Sequence, residues 1–317
     1  MKPLSAGGSG GYDLIGDLHG FAGPLRTLLA RWGYNADGAG AYRHPAGRRI
    51  IFVGDYVDRG PEIVATLRIV RAMVEAGEAV ALMGNHEYNA IALDHVVDGV
   101  PLRPECKRVQ HADTIRQLEA AGEDRREWLE WFKTLPLWHE EEAFRVVHAC
   151  WDERHLAVLR AGRPDGRLRA PDWDALADAT GALAQAVEGV LKGPEVPLPG
   201  GRWFHDAEGH ARREMRLRWW GSPQPATWRE ASVGEWREEW GEVPFDRTLV
   251  EGRGYPPEDR PVFFGHYWLR GEPVWLAENV CCLDYSVAKQ GHLVGYRMRP
   301  GQGRSGRFER VVHDVRA

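Results

Sequence analysis

Three short blocks constrain this chain more than any other feature. Gly16-Asp17-Leu18-His19-Gly20, Gly54-Asp55-Tyr56-Val57-Asp58-Arg59-Gly60 and Gly84-Asn85-His86-Glu87 each follow directly on an apolar run, namely 12–15, 49–53 and 79–83. The runs read as strands from their β-branched content and length. Between them, residues 24–32 and 61–75 read as helices. The second carries Ile63, Val64, Leu67, Val70 and Val74 at helical spacing, with Gly77 as its stop. This alternation predicts an α/β sheet with crossover helices. The three blocks then lie beyond the carboxyl ends of strands, where open α/β sheets bind ligands.

The types of residue in the blocks suit a metal site. Carboxylates, imidazoles and a side-chain amide oxygen match divalent ions of intermediate hardness, such as manganese, iron or zinc. Asp17 and His19 stand two apart on one loop and can face one ion. Asp55 can bridge two ions, and Asn85 can offer its amide oxygen to the second. Two ions about 3.5–4 Å apart clamp a phosphate between them.

Further along, 115–118 and 128–135 read as helical and 144–148 as a fourth strand. Strand character returns at 261–264 and within 274–297. Residues 153–258 differ: they carry Pro and Gly clusters, helical pieces within 173–191, and a Trp- and Arg-rich stretch at 213–240. We expect one domain over 1–317, with a core of 12–152 and 259–300 and an insertion or cap at 153–258.

Composition excludes some classes. Hydrophobic residues make up 43% of the 317 and charged residues 27%, an ordinary globular balance. The net charge of -5 argues against strong nucleic-acid binding. No apolar run of about 18 residues marks a membrane helix. The Gly- and Ser-rich stretch 1–11 lacks the apolar core of a signal peptide. The cysteines, Cys106, Cys150, Cys281 and Cys282, form no C-x-x-C pair. Free thiols and a cytoplasmic location are expected. Oligomeric state is not legible.

The three blocks resemble the signature of the calcineurin-like metallophosphoesterases, G-D-x-H-G, G-D-x-x-D-R-G and G-N-H-E. Arg59 is similar to the arginine of the phosphoprotein phosphatase branch, which holds serine/threonine phosphatases and bacterial diadenosine tetraphosphatases. The resemblance implies a central β-sandwich flanked by helices with a helical insertion, counted as α/β or, in some schemes, α+β. It also implies two divalent ions, most simply manganese, with iron or zinc as alternatives. Two further metal histidines belong to the pattern. His148, ending Phe144-Arg145-Val146-Val147-His148, and His266, ending Phe263-Phe264-Gly265-His266, resemble them. The implied ligand set is Asp17, His19, Asp55, Asn85, His148 and His266. Two positions depart from the pattern: Ala149 and Cys150 stand where glycines are usual, and Asn279 to Ser286 resembles the bacterial rather than the eukaryotic branch.

The resemblance implies direct attack by metal-bound hydroxide, and no activated Ser or Cys nucleophile motif is present. His86 is the natural general acid, Asp58 its partner, and Arg59 a phosphate grip. Arg59 and Asn85 are also expected at the substrate. For a second arginine, Arg216, Arg218, Arg229 and Arg237 all qualify. Arg218, inside the Met215–Pro223 stretch that resembles a Leu-Trp-x-x-Pro region, is carried forward. The leading expectation is a phosphatase acting on phosphoserine or phosphothreonine proteins or small phosphate esters. The alternative is a symmetrical dinucleoside tetraphosphatase, with Trp219, Trp220 or Trp228 stacking on adenine. A non-catalytic binding module of the same fold is the contrasting class.

Overall fold

Alternation along the short strands builds the core of this protein. The computed structural model describes residues 10–205, 211–221, 224–233, 241–250, 254–299 and 302–312. In the first sheet the parallel strands Tyr12–Ile15, Arg49–Phe52 and Ala79–Ala81 lie side by side. The long strand His292–Arg299 runs antiparallel against Tyr12–Ile15, with Gln302–Val312 paired along it. In the second sheet Val280–Cys282, Val262–Phe264 and Arg145–Val147 are parallel, and Trp138–Glu140 closes one edge antiparallel.

Successive side chains on a strand face opposite ways. Leu14, Ile51 and Val80 therefore meet Val146, Phe263 and Cys281 in a dry layer between the sheets. Their neighbours Ile15, Ile50 and Phe52 face outward, in one core cluster with Leu25, Leu28, Leu67 and Val70 of the helices Ala22–Arg31 and Ile63–Glu75. Val147, Phe264 and Cys282 face outward likewise, in the same cluster as Leu156, Val187 and Val190. The result is the expected sandwich with helices on its outer faces. It also explains Cys281 and Cys282: both are buried and free, and they point to opposite faces of one strand.

One buried charge pins the first sheet. Asp13, fully buried, accepts hydrogen bonds from Arg48, Arg297 and the Tyr34 hydroxyl at 2.6–3.1 Å.

Residues 153–192 join the main core through the helices Glu153–Gly162 and Ala182–Lys192. The helical stretch 173–191 is broken: Asp178 turns the chain by accepting from the backbone N–H groups of Thr180 and Gly181, so Ala170–Ala175 and Ala182–Lys192 are separate helices. The ladder Glu195–Pro197 with Glu214–Arg216 starts a third, small cluster that includes Val196, Leu198, Met215, Leu217, Trp228 and Phe245. The leader 1–9, Arg237 and the end of the Met215–Pro223 stretch (222–223) lie outside the described residues. Among the described residues no helix is long and apolar enough to cross a membrane.

Candidate metal centre and catalytic site

Six loops leave the carboxyl ends of parallel strands from both sheets and converge on one edge of the sandwich. They carry Asp17 and His19, Asp55, Asn85, His148, His266 and Asp284, all buried. Asp55 is the hub. One oxygen lies 3.6 Å from His19 Nε2 and 3.9 Å from His86 Nε2. The other lies 3.4 Å from His148 Nε2 and accepts the His86 backbone N–H at 3.0 Å. Asn85 Oδ1 stands 3.1 Å from His148 Nε2. The ligand atoms fall into two groups, His19 with Asp55 and His86, and Asp55 with His148 and His266, each within 4.8 Å of one another. Asp55 belongs to both.

The donor atoms are prepared to coordinate. His19 Nδ1 lies 3.0 Å from the Val57 carbonyl, and His148 Nδ1 2.9 Å from the Val53 carbonyl. A carbonyl only accepts, so each Nδ1 carries the proton and each Nε2 offers a lone pair. Asp17 Oδ1, His19 Nε2 and His266 Nε2 are buried with no hydrogen-bond partner. Such orphans cost about 1–3 kcal/mol each unless something meets them. Divalent cations fit that need, and the donor set suits them.

Charge tells the same story. Burial, then Asp284 and Asp55, push the Asp17 carboxyl well above the usual carboxylate range. Burial and then His86 lower His19 to about 3; burial and then Arg216 hold His266 well below its ordinary value. Both rings are therefore neutral, the ligating form. Burial would raise Asp55, but His148, His86 and His19 outweigh it and bring the group to about 2.

The backbone is held under strain here. His19, Asp55, Asp58, Arg59, His266, Trp268, Ser286 and Gln290 all have φ between 41° and 73°, where non-glycine residues are uncommon. Such strain persists only where surrounding structure fixes it. Glycine is required beside the ligands: a Cβ on Gly265 would come within 1.9 Å of Asp17 Oδ1, and one on Gly84 within 2.2 Å of Asp55 Oδ1.

Beside the ligands, His86 Nδ1 meets Asp58 Oδ2 at 2.5 Å. Burial would lower His86, but Asp55 and Asp58 outweigh it and hold the imidazole above its ordinary value. Asp58 Oδ1 accepts from His111 Nδ1 and from the Thr114 hydroxyl, both at 2.6 Å. Burial would raise Asp58, but His111 and then His86 outweigh it and keep the group far below the usual carboxylate range. Arg59 stacks on the Trp268 indole, 3.9 Å from the ring centroid, and that ring stands 5.5 Å from His19.

Of the candidate arginines, Arg216 meets the cluster: its Nη1 donates to the His266 carbonyl at 3.1 Å. Arg218, two residues on, is exposed, and Arg229 pairs with Glu242 at 2.6 Å. Trp219 and Trp228 are core residues, 4% and 2% exposed. Trp219 donates to the Ala149 carbonyl and Trp228 packs on Phe245, so neither presents a free face for a base. Trp220 is half-buried against Tyr267.

The sequence reading passed over four contributors. Glu87 gathers the backbone N–H groups of Asp55, Tyr56, Val57 and Gly84 on one carboxylate, tying two of the converging loops together. Its place in the third block was the available signal. His111, Thr114 and Trp268 reach the site only through tertiary contact.

The profile of the calcineurin-like phosphoesterases matches residues 12–266. The symmetrical bis(5'-nucleosyl)-tetraphosphatase of Ralstonia nicotianae is 30% identical over 90% of this chain and 88% of its own length. The protein of the same name from Methylococcus capsulatus is 37% identical over 50% of each chain, so the match spans half of that relative. A solved structure of a candidate diadenosine tetraphosphatase superposes with a TM-score of 0.47 at 15% identity, over 96% of this chain and 94% of that one.

Proposed function

We propose that this chain, which belongs to the calcineurin-like phosphoesterase family, is a two-metal hydrolase that cuts bis(5'-nucleosyl) tetraphosphates into two nucleoside diphosphates. The observation that carries the substrate class is the match to the Ralstonia nicotianae tetraphosphatase along 298 residues. The leading expectation from sequence, a phosphoserine or phosphothreonine phosphatase, becomes the second reading, and the dinucleotide alternative moves ahead of it.

Asp17, His19, Asp55, Asn85, His148 and His266 would hold the two ions, and we assign manganese to them. When bound, the ions supply an activated water and neutralise charge on the phosphate. The chain's own groups do the rest. His86, protonated and aimed by Asp58, gives a proton to the leaving phosphate oxygen. Arg59, held over the Trp268 ring, presents its planar fork to phosphate oxygens. We assign the second phosphate contact to Arg216, because it bonds the backbone of His266. The buried surroundings strengthen each of these contacts.

The test is product analysis. Manganese-loaded protein given diadenosine tetraphosphate should release adenosine diphosphate alone. Release of equal adenosine triphosphate and monophosphate would overturn the symmetrical assignment.

A further inference from the structure

We propose that Asp284 is a positioning residue: it fixes the turn that carries Trp268, and through that indole it sets where the Arg59 guanidinium stands at the metal centre. The proposal rests on the phosphate-hydrolase reading above and deepens it.

Two buried carboxylates hold the turn from Gly265 to Leu269, one at each end. At its start the His266 N–H donates to Asp17 Oδ2 at 3.0 Å. At its end the Trp268 N–H donates to Asp284 Oδ2 at 2.7 Å, and the Leu269 N–H donates to the Asp284 carbonyl at 3.0 Å. The other carboxylate oxygen of Asp284 accepts the Ser286 N–H at 2.9 Å, and the Ser286 hydroxyl returns to the Leu269 carbonyl at 3.1 Å. The turn needs this clamp. His266 and Trp268 have φ of 71° and 53°. Positive φ on a bulky side chain is an outlier, and it persists only where the surroundings over-determine it.

What the clamp presents is the Trp268 ring. Its centroid stands 5.5 Å from that of His19, with 33° between the ring planes, and Arg59 Cζ lies 3.9 Å from it. The indole therefore links an assigned ligand ring to the phosphate grip. A guanidinium meets phosphate through a planar fork, so its placement matters as well as its charge. Misplacing such a group by about 1 Å costs up to about 10²-fold. The carboxylate is needed for the clamp because it accepts on both oxygens, whereas a primary amide accepts on one. Asp284→Asn keeps the shape but sets an NH₂ group against the Trp268 or the Ser286 N–H. It loosens the turn without removing an assigned metal ligand.

The experiment measures orthophosphate binding to the full chain by calorimetry at one fixed, saturating concentration of free manganese. Manganese content and thermal midpoint are taken on the same samples. Asp284→Asn should keep two manganese ions and a cooperative thermal transition, and bind orthophosphate about tenfold more weakly, equivalent to about 1.4 kcal/mol. Trp268→Leu, which keeps the backbone N–H on Asp284 and removes the ring, should show a loss of the same size. In an Arg59→Ala background each change should cost less than about twofold, because residues that act through one another are not additive. Losses that multiply in that background, or wild-type affinity in either variant, would overturn the proposal. Loss of a manganese ion or of the folded state in Asp284→Asn would overturn it too, and leave Asp284 a structural residue. The readout is orthophosphate binding, so it stands apart from the substrate assignment. A protein that fails to cleave diadenosine tetraphosphate yet shows this coupling would sink the proposed function and keep the positioning role.

Discussion

His86 Nδ1 lies 2.5 Å from Asp58 Oδ2, at the edge of the ligand cluster. A carboxylate only accepts, so the imidazole proton on that nitrogen is fixed. Nε2 then faces Asp55, 3.9 Å from its Oδ2. We predict that His86→Asn lowers kcat by about 10²- to 10⁴-fold on substrates with poor leaving groups and far less on nitrophenyl esters. It should still bind two manganese ions. Equal slowing of both substrate types, or loss of one ion by metal analysis, would reassign His86 to the ligand group with His19 and Asp55.

Asp58 keeps its orientation because His111 and Thr114 hold its other oxygen. His111→Ala removes a hydrogen bond to a charged group, worth about 1.5–3 kcal/mol. We expect kcat to fall about tenfold or more with KM unchanged. His111→Asn, which keeps a donor near Nδ1, should restore most of the rate. A rise in KM with kcat intact would show that His111 shapes substrate binding instead.

The orphaned ligand atoms and the raised Asp17 carboxyl make the metal-free centre a source of instability. Chelation should lower the thermal midpoint and abolish turnover. Manganese at about 100 times its dissociation constant should return about 2.7 kcal/mol per site. A midpoint that manganese does not move would contradict the assigned ligand set.

Away from the site, Asp13 is the buried partner of Arg48 and Arg297. Asp13→Ala leaves both guanidinium groups without it and should cost about 3–5 kcal/mol of stability. Denaturant titration reads that loss. The turnover of the remaining folded protein should be unaffected, and a loss under about 1 kcal/mol would place the network among surface pairs.

The convergence of the three blocks was legible because each sits within a few residues of an apolar strand end, so local pattern and position in the fold coincide. Asp17, His19, Asp55 and Asn85 needed only that. His148 and His266 are single histidines after strands, and the resemblance supplied what local pattern lacked. The arginine that bonds the His266 backbone was not legible, since Arg216, the last residue of its strand, and Arg218, just past its end, offer the same side chain two residues apart. His111 acts on a partner 53 residues away, Asp58, beyond any local signal. The last strand, Gln302–Val312, also escaped, because glycine and arginine dominate its first half and read as loop. Its pairing with His292–Arg299 extends the first sheet past the expected end of the core at 300.

The central claim is tested most directly by comparing kcat/KM for diadenosine tetraphosphate, a phosphothreonine peptide and bis-nitrophenyl phosphate on chelator-stripped, manganese-reconstituted protein. This ratio reports transition-state preference. The account predicts that the dinucleotide leads by about tenfold or more, equivalent to about 1.4 kcal/mol, and yields two nucleoside diphosphates. A lead of that size for the phosphothreonine peptide would contradict it and return the protein-phosphatase reading to first place.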